Sequence, residues 1–277
     1  MSAHDETLST RDYARLCELI YREAGINLGP GKKTMLEARV KRRLKALNLT
    51  SYSQYCDYLF GNKGLKDEIL HLIDVVTTNK TDFFREPAHF EALRVEVVPA
   101  LLKARPADQK LSLWSAAAST GQEAYSLAIL LCELGLNAGD IRIVGTDISS
   151  AVLERASAGV YNQTEIERGL PAHLRAQYCT QVDRENWEIK PALRRMTTFQ
   201  LFDLRYNVRA LGQFDIVFCR NVLIYFDLIT KTRIVEDIHS ALRPGGYLFL
   251  GGSEVSLPMG PGFNRVVIGD ATCFQRI

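Results

Sequence analysis

After residue 110 the chain changes its rhythm, and that change limits the folds open to it. Five short runs rich in aliphatic and aromatic residues, 111–114, 141–146, 196–201, 215–219 and 247–250, follow one another at intervals. Between them lie amphipathic stretches at 124–136, 149–158 and 228–242, whose apolar residues recur at helical spacing. Strands alternating with helices build βαβ units, and such units stack into a mostly parallel sheet covered by helices on both faces. Residues 171–201 break the alternation. They are polar and rich in Arg, and they end in a β-like run, which predicts a small inserted β-subdomain.

The region before the change reads as helix after helix. Thr10 is placed to cap a segment over 12–23, where Tyr13, Leu16, Ile20 and Tyr21 form one stripe, and Gly25 ends it. A turn at Leu28-Gly-Pro-Gly31 leads into 32–47, with Met35, Leu36, Val40, Leu44 and Leu47 on a helical period. Two shorter helices are predicted at 53–59 and 65–75. No strand pattern precedes residue 110, so 1–78 is expected to be a separate all-helical domain. Residues 79–110 would be a linker, and 111–277 an α/β domain.

Composition narrows the function classes. With 47% hydrophobic and 24% charged residues, the 277-residue chain has the mix of an ordinary globular protein. No apolar run approaches the ~20 residues a membrane span needs. The polar start, MSAHDETLST, resembles neither a signal peptide nor a transit peptide. The six cysteines are widely spaced and form no CxxC pair, which fits neither a zinc site nor a disulfide framework. A cytoplasmic location without membrane insertion is the resulting expectation. The five histidines (His4, His71, His89, His173 and His239) are scattered, so no metal site is expected.

In an open α/β sheet the ligand binds beyond the carboxyl ends of the strands. The first end, Trp114-Ser-Ala-Ala-Ala-Ser-Thr-Gly121, is built of small residues that let a ligand approach the backbone. It lacks the G-x-G-x-x-G of a dinucleotide site and the Gly-Lys-Ser/Thr of a P-loop. Trp114 is expected to pack at the strand end, with stacking on an adenine the other option. The second end carries Asp147, which can either bind ribose hydroxyls or cap the following helix. The third empties into Arg220, Asn221 and Val222, without the Asn/Asp-Pro-Pro-aromatic pattern usual in enzymes that methylate base amines. The fourth, 242–254, reads as a glycine turn ending a helix.

Four segments together carry a family resemblance: Thr77-Thr-Asn-Lys-Thr-Asp-Phe-Phe-Arg-Glu86, Trp114-Ser-Ala-Ala-Ala-Ser-Thr-Gly-Gln-Glu-Ala-Tyr-Ser126, Thr146-Asp-Ile-Ser149 and Phe218-Cys-Arg-Asn-Val-Leu-Ile-Tyr-Phe226. The chain resembles the class I S-adenosylmethionine-dependent methyltransferases, and among them the chemotaxis receptor glutamate O-methyltransferases, the CheR family. The resemblance implies a Rossmann-like methyltransferase domain behind a helical substrate-recognition domain. It implies S-adenosylmethionine as cofactor, with S-adenosylhomocysteine as product. By position, the cofactor would be held by Asn79, Thr81 and Arg85 in the 79–110 segment, then Glu123, Asp147, Asp203, Leu204, Asn221 and Val222. Asp203-Leu204 departs from the family's Asn-Leu, and Gln122-Glu123-Ala124 from its Glu-Glu-Pro. Arg85 and Tyr225 would orient the accepting carboxylate. A structural ion pair of Arg85 with Glu86 or a neighbour is the competing reading. The loop 180–190 is short and lacks the glycines of members that tether a receptor's terminal pentapeptide, so tether-independent recognition is expected.

The formal charge of +2 hides an uneven distribution. Lys32, Lys33, Arg39, Lys41, Arg42, Arg43 and Lys45 face one acid, Glu37, giving 32–45 a net +6 and the rest of the chain −4. A solvated helix face is the ordinary reading of such a run; against it, the self-repulsion is costly unless a partner relieves it. The resemblance implies the methylation helices of a chemoreceptor's cytoplasmic signalling domain, bound through Arg39, Arg42, Arg43 and Lys45, with no direct nucleic acid. The alternatives are a nucleic-acid methyltransferase gripping phosphates with this helix, or a non-catalytic regulator that binds the cofactor.

Overall fold

Two compact units divide the chain, and the computed structural model describes residues 7–61, 64–106 and 108–277. His4 lies outside these. The smaller unit runs to Thr78 and takes in Ile148–Ser150 and Tyr225–Asp227. Its helices are α1 (Thr10–Ala24), α2 (Lys33–Ala46), α3 (Tyr52–Phe60) and α4 (Gly64–Val76). Leu16, Ile20, Leu36, Val40, Tyr55 and Leu72 meet in its core; the first four lie on the stripes expected of α1 and α2, whereas Tyr21, expected beside them, is exposed. The cap of α1 is Ser9, whose hydroxyl accepts from the Asp12 N–H at 3.0 Å. Thr10, expected in that role, has already entered the first turn. Gly25 closes the helix in the left-handed conformation, at φ 70°.

The larger unit begins at Asn79. Residues 79–110 are not a free linker. They fold into α5 (Pro87–Ala92), a π-turn (Leu93–Val97) and α6 (Val98–Ala104), and Phe83, Phe90, Leu93, Val97 and Val98 are buried in the unit's core. Then follow β1 (Leu111–Ala116), α7 (Gln122–Glu133), β2 (Ile141–Asp147), α8 (Ser150–Ala158), β3 (Val160–Asn162), α9 (Gln163–Glu167) and α10 (Ala172–Tyr178). The chain continues through β4 (Cys179–Gln181), β5 (Asn186–Ile189), α11 (Pro191–Arg194), β6 (Thr197–Leu201) and β7 (Phe214–Cys219). It ends with α12 (Leu228–Ala241), β8 (Leu242–Leu250), β9 (Phe263–Ile268) and β10 (Ala271–Arg276).

Seven strands form the main sheet in the order β6-β2-β1-β7-β8-β10-β9. Pairing is parallel from β6 to β8, whereas β10 runs antiparallel to both neighbours. Strands β1 and β7 are buried along their whole length, as central parallel strands must be. The strand order reverses between them, and that switch point is where an open α/β sheet offers a ligand crevice.

The insertion differs from its expected bounds. Its sheet, β3-β5-β4, starts at Val160, ahead of residue 171, while the closing run β6 pairs with β2 in the main sheet. The fourth strand end differs too. α12 stops at Ala241, and Gly245 and Gly246 lie inside β8, where a Cβ on Gly246 would stand 2.8 Å from the Asp215 carbonyl oxygen. Among the described residues, no helix is long and apolar enough to cross a membrane.

Candidate active site

The site grows from the switch point. β1 delivers its chain into 117–121, where Ala117 and Ser119 take φ values of 63° and 51° before Gly121 at 94°. Left-handed conformation in a residue with a Cβ is unfavourable and tends to mark functional backbone. Of six such non-glycine residues described, five (Phe84, Glu86, Ala117, Ser119 and Asn221) lie in segments that hold this site. The loop is locked by two contacts to β2: the Ala118 N–H donates to the Thr146 carbonyl at 2.8 Å, and the Ser119 N–H donates to Asp147 Oδ2 at 2.9 Å. Ser119 Oγ reaches back to the Asn79 carbonyl at 3.0 Å, which ties the 79–86 segment to the same loop.

Asp147 thus stands at the tip of β2, buried, with one oxygen fixed by the loop. The Phe202 N–H donates to the Asp147 carbonyl at 2.9 Å, so Asp203 and Leu204 follow directly beyond that tip. Leu204 is buried, and Arg205 holds the Asp203 carboxylate with contacts down to 2.6 Å. Trp114 is fully buried, stacked on Phe214 with its indole N–H on Thr146 Oγ1, so it cannot stack on a ligand.

Glu123, in the first turn of α7, accepts from Ser115 Oγ of β1 at 2.7 Å. Burial pushes the Glu123 carboxyl up, and Arg220 and the Ser115 hydroxyl pull it back. Arg220, at the mouth of β7, lies between two carboxylates: Nη1 is 3.6 Å from Glu123 and Nη2 is 3.8 Å from Glu86. Its guanidinium also faces the ring of Phe218 and donates to the Arg85 carbonyl. Its Nε and Nη1 are buried without a hydrogen bond. His89 packs edge-on to Phe249, and burial beside Arg220 pushes its imidazole down to about 4, so it is neutral at ordinary pH.

Asn221 Nδ2 donates to Glu86 at 3.3 Å, and half-buried Val222 follows. Arg85 forms no ion pair with Glu86. Its Nη1 donates to the Lys80 carbonyl at 2.9 Å, and it borders a groove of about 570 Å³ walled by Phe84, Pro87, Phe90 and Leu174. Asn79 and Thr81 border a smaller cavity of about 260 Å³ with Thr120 and Gln122.

Glu123, Asp147, Asp203, Leu204, Asn221 and Val222 thus follow the carboxyl ends of β1, β2, β6 and β7, and two residues outside the expected set, Ser119 and Arg220, tie the backbone of Asn79 and Arg85 to those ends. The clue for Arg220 was its charge directly after the apolar run Ile216–Cys219. Tyr225 belongs to the helical unit, where its carbonyl accepts from the Asn27 N–H at 2.8 Å.

The basic helix is corrected more sharply. Arg39 donates to the carbonyls of Val76 and Thr77 and to Thr78 Oγ1, and so caps the end of α4. Arg43 grips Glu68 through two hydrogen bonds of 2.7 and 2.9 Å, and Tyr55 donates to the same carboxylate at 3.0 Å. Both arginines are built into the helical unit, whereas Lys41, Arg42 and Lys45 are exposed.

The residues present suit a nucleoside-bearing sulfonium compound: a buried carboxylate after β2, a small-residue loop after β1 and a second carboxylate at the start of α7. Fold and site together define a class I S-adenosylmethionine-dependent methyltransferase. The chain belongs to the CheR methyltransferase family. Residues 11–77 match that family's all-alpha domain and residues 79–264 its SAM binding domain. It is 37% identical to chemotaxis protein methyltransferase 1 of Pseudomonas aeruginosa, over 88% of this chain and 89% of that one. It is 38% identical to chemotaxis protein methyltransferase 2 of the same organism, over 88% and 86% of the two chains. With the chemotaxis protein methyltransferase of Salmonella typhimurium it shares 37% identity over 89% and 84%.

Proposed function

We propose that the chain transfers a methyl group from S-adenosylmethionine to glutamate side chains of chemoreceptors, in the cytoplasm, forming glutamyl methyl esters and S-adenosylhomocysteine. The observation that carries this reading is the match to proteins named chemotaxis methyltransferases across both the helical and the α/β unit. The chemistry of the site agrees with it. The sulfonium supplies an already activated methyl group. A glutamate carboxylate is a nucleophile at neutral pH, so its oxygen displaces the thioether and no proton has to move. The protein has only to align the reacting atoms at ~3–3.5 Å and exclude water.

In this reading Asp147 receives the ribose hydroxyls, and Glu123 faces the positive end of the cofactor. Asn79, Thr81, Asp203, Leu204, Asn221 and Val222 complete the pocket. Arg85, with one arm of its guanidinium held by the Lys80 carbonyl, orients the accepting carboxylate. Arg85→Ala is expected to lower kcat about 100-fold; full turnover in that variant would remove Arg85 from this role. The direct test is to incubate the protein with cofactor and receptor-bearing membranes, digest the receptor and map it by mass. A glutamate heavier by one methylene supports the reading, and an unmodified receptor overturns it.

Receptor docking is assigned to the exposed cations of α2, which suit acidic methylation helices. Changing Lys41, Arg42 and Lys45 together to Gln is expected to raise the KM for receptor about 10-fold at low salt, with a smaller effect at high salt. Affinity for S-adenosylhomocysteine, read by calorimetry, should stay unchanged. The turn joining β4 and β5 spans only residues 182–185 and is tied by Asp183 to the N–H groups of Glu185 and Asn186. That compact hairpin supports recognition without a tethering pentapeptide.

A further inference from the structure

Glu254 lies beyond the carboxyl end of β8 and is 2% exposed. Among the described residues no cation pairs with it. Instead its carboxylate accepts four backbone N–H groups: Oε2 takes Asn221 at 2.7 Å and Gly251 at 2.9 Å, and Oε1 takes Leu223 at 2.8 Å and Ile224 at 3.3 Å. One buried anion thus bridges the chain leaving β7 and the chain leaving β8. The bridge closes around the point where Asn221 is held at φ 57°, in the left-handed region that Asn enters more readily than most residues with a side chain. Packing there leaves no slack. A Cβ on Gly251 would stand 2.5 Å from Asn221 Nδ2 and 2.8 Å from Glu254 Oε2.

Resting on the cofactor role proposed for Asn221 and Val222, we infer that Glu254 is the positioning residue that aims these two residues into the S-adenosylmethionine pocket. It acts through the backbone of residues 221–224 and touches neither cofactor nor substrate. An amide in its place would turn an N–H group toward N–H groups. A carboxylate is the group whose two oxygens can serve all four donors at once.

A double-mutant cycle tests this, with the Kd for S-adenosylhomocysteine measured by calorimetry on the full chain and the ligand-free Tm measured beside it. Glu254→Gln and Asn221→Ala are each expected to raise Kd about 10-fold. The double variant should be no more than about twofold weaker than Asn221→Ala, because the first change acts through the second. A residue that merely held the fold together would lower Tm and give additive losses in affinity. Additive losses, or wild-type affinity in Glu254→Gln while Asn221→Ala is weakened, would overturn the inference alone. Wild-type affinity in Asn221→Ala would overturn the cofactor role of that residue, and the inference with it. Should Glu254→Gln fail to fold, Glu254→Asp, which keeps the charge but falls short by one methylene, enters the same cycle with the same expected coupling.

Discussion

Arg43→Ala is expected to cost the helical unit about 3–5 kcal/mol, the usual penalty for stranding one member of a buried ion pair. Glu68 is 2% exposed at its side chain, Arg43 17%, and the two share a bidentate contact that Tyr55 completes. Without the guanidinium, the Glu68 carboxylate would keep the Tyr55 hydroxyl and little else. Urea denaturation should show the loss as a lower midpoint. Arg42→Ala, on an exposed position of the same helix, should stay within about 0.5 kcal/mol of the parent protein. Replacing both partners, as Arg43→Met with Glu68→Leu, should recover most of the loss, since an apolar pair strands no charge. Parent-like stability in Arg43→Ala, together with weakened receptor methylation, would return Arg43 to the docking surface.

Arg220→Gln is expected to weaken S-adenosylhomocysteine binding by about 100-fold, in the range of a truncated buried charge pair. Arg220 is 7% exposed and separates Glu123 from Glu86. Remove it, and Glu123 keeps the Ser115 hydroxyl and the more distant charge of Arg85, against burial and the like charge of Glu86. All the remaining imbalance favours the neutral acid, so its carboxyl rises further. Since the ionised form is the one that faces a positive ligand, binding of the cofactor itself should become pH-dependent, tightening from mildly acidic to mildly alkaline conditions. Arg220→Lys keeps the charge and should recover part of the affinity. A flat pH profile in Arg220→Gln would show that Glu123 does not depend on Arg220 for its charge.

Both effects come from pairs that sequence periodicity could not reveal. Helical spacing placed Leu36, Val40 and Leu44 correctly on the buried stripe of α2. It says nothing of Glu68, twenty-five residues further on, which draws Arg43 inward. The net +6 of that helix therefore overstated the free charge, because capping and ion pairing consume part of it. The strands of the sheet centre were legible because central parallel strands are buried on both faces and so are dominated by apolar residues. β9 and β10 mix exposed and buried positions, and β3 and β4 are three residues long, so neither gave a usable pattern. Asp147 and Asn221 were legible from their places at strand ends, together with the family resemblance. Glu254 was visible as an acid after a glycine pair, but its role depends on N–H groups some thirty residues away.

The central claim is methyl-ester formation on receptor glutamate. Its most direct measurement uses cofactor labelled in the transferred methyl group, receptor-bearing membranes and the full chain, followed by treatment of the product with alkali. The account predicts label on the receptor that alkali releases as volatile methanol, in amounts that fall with Arg85→Ala. Label that stays bound through alkali, as on a nitrogen, would contradict it.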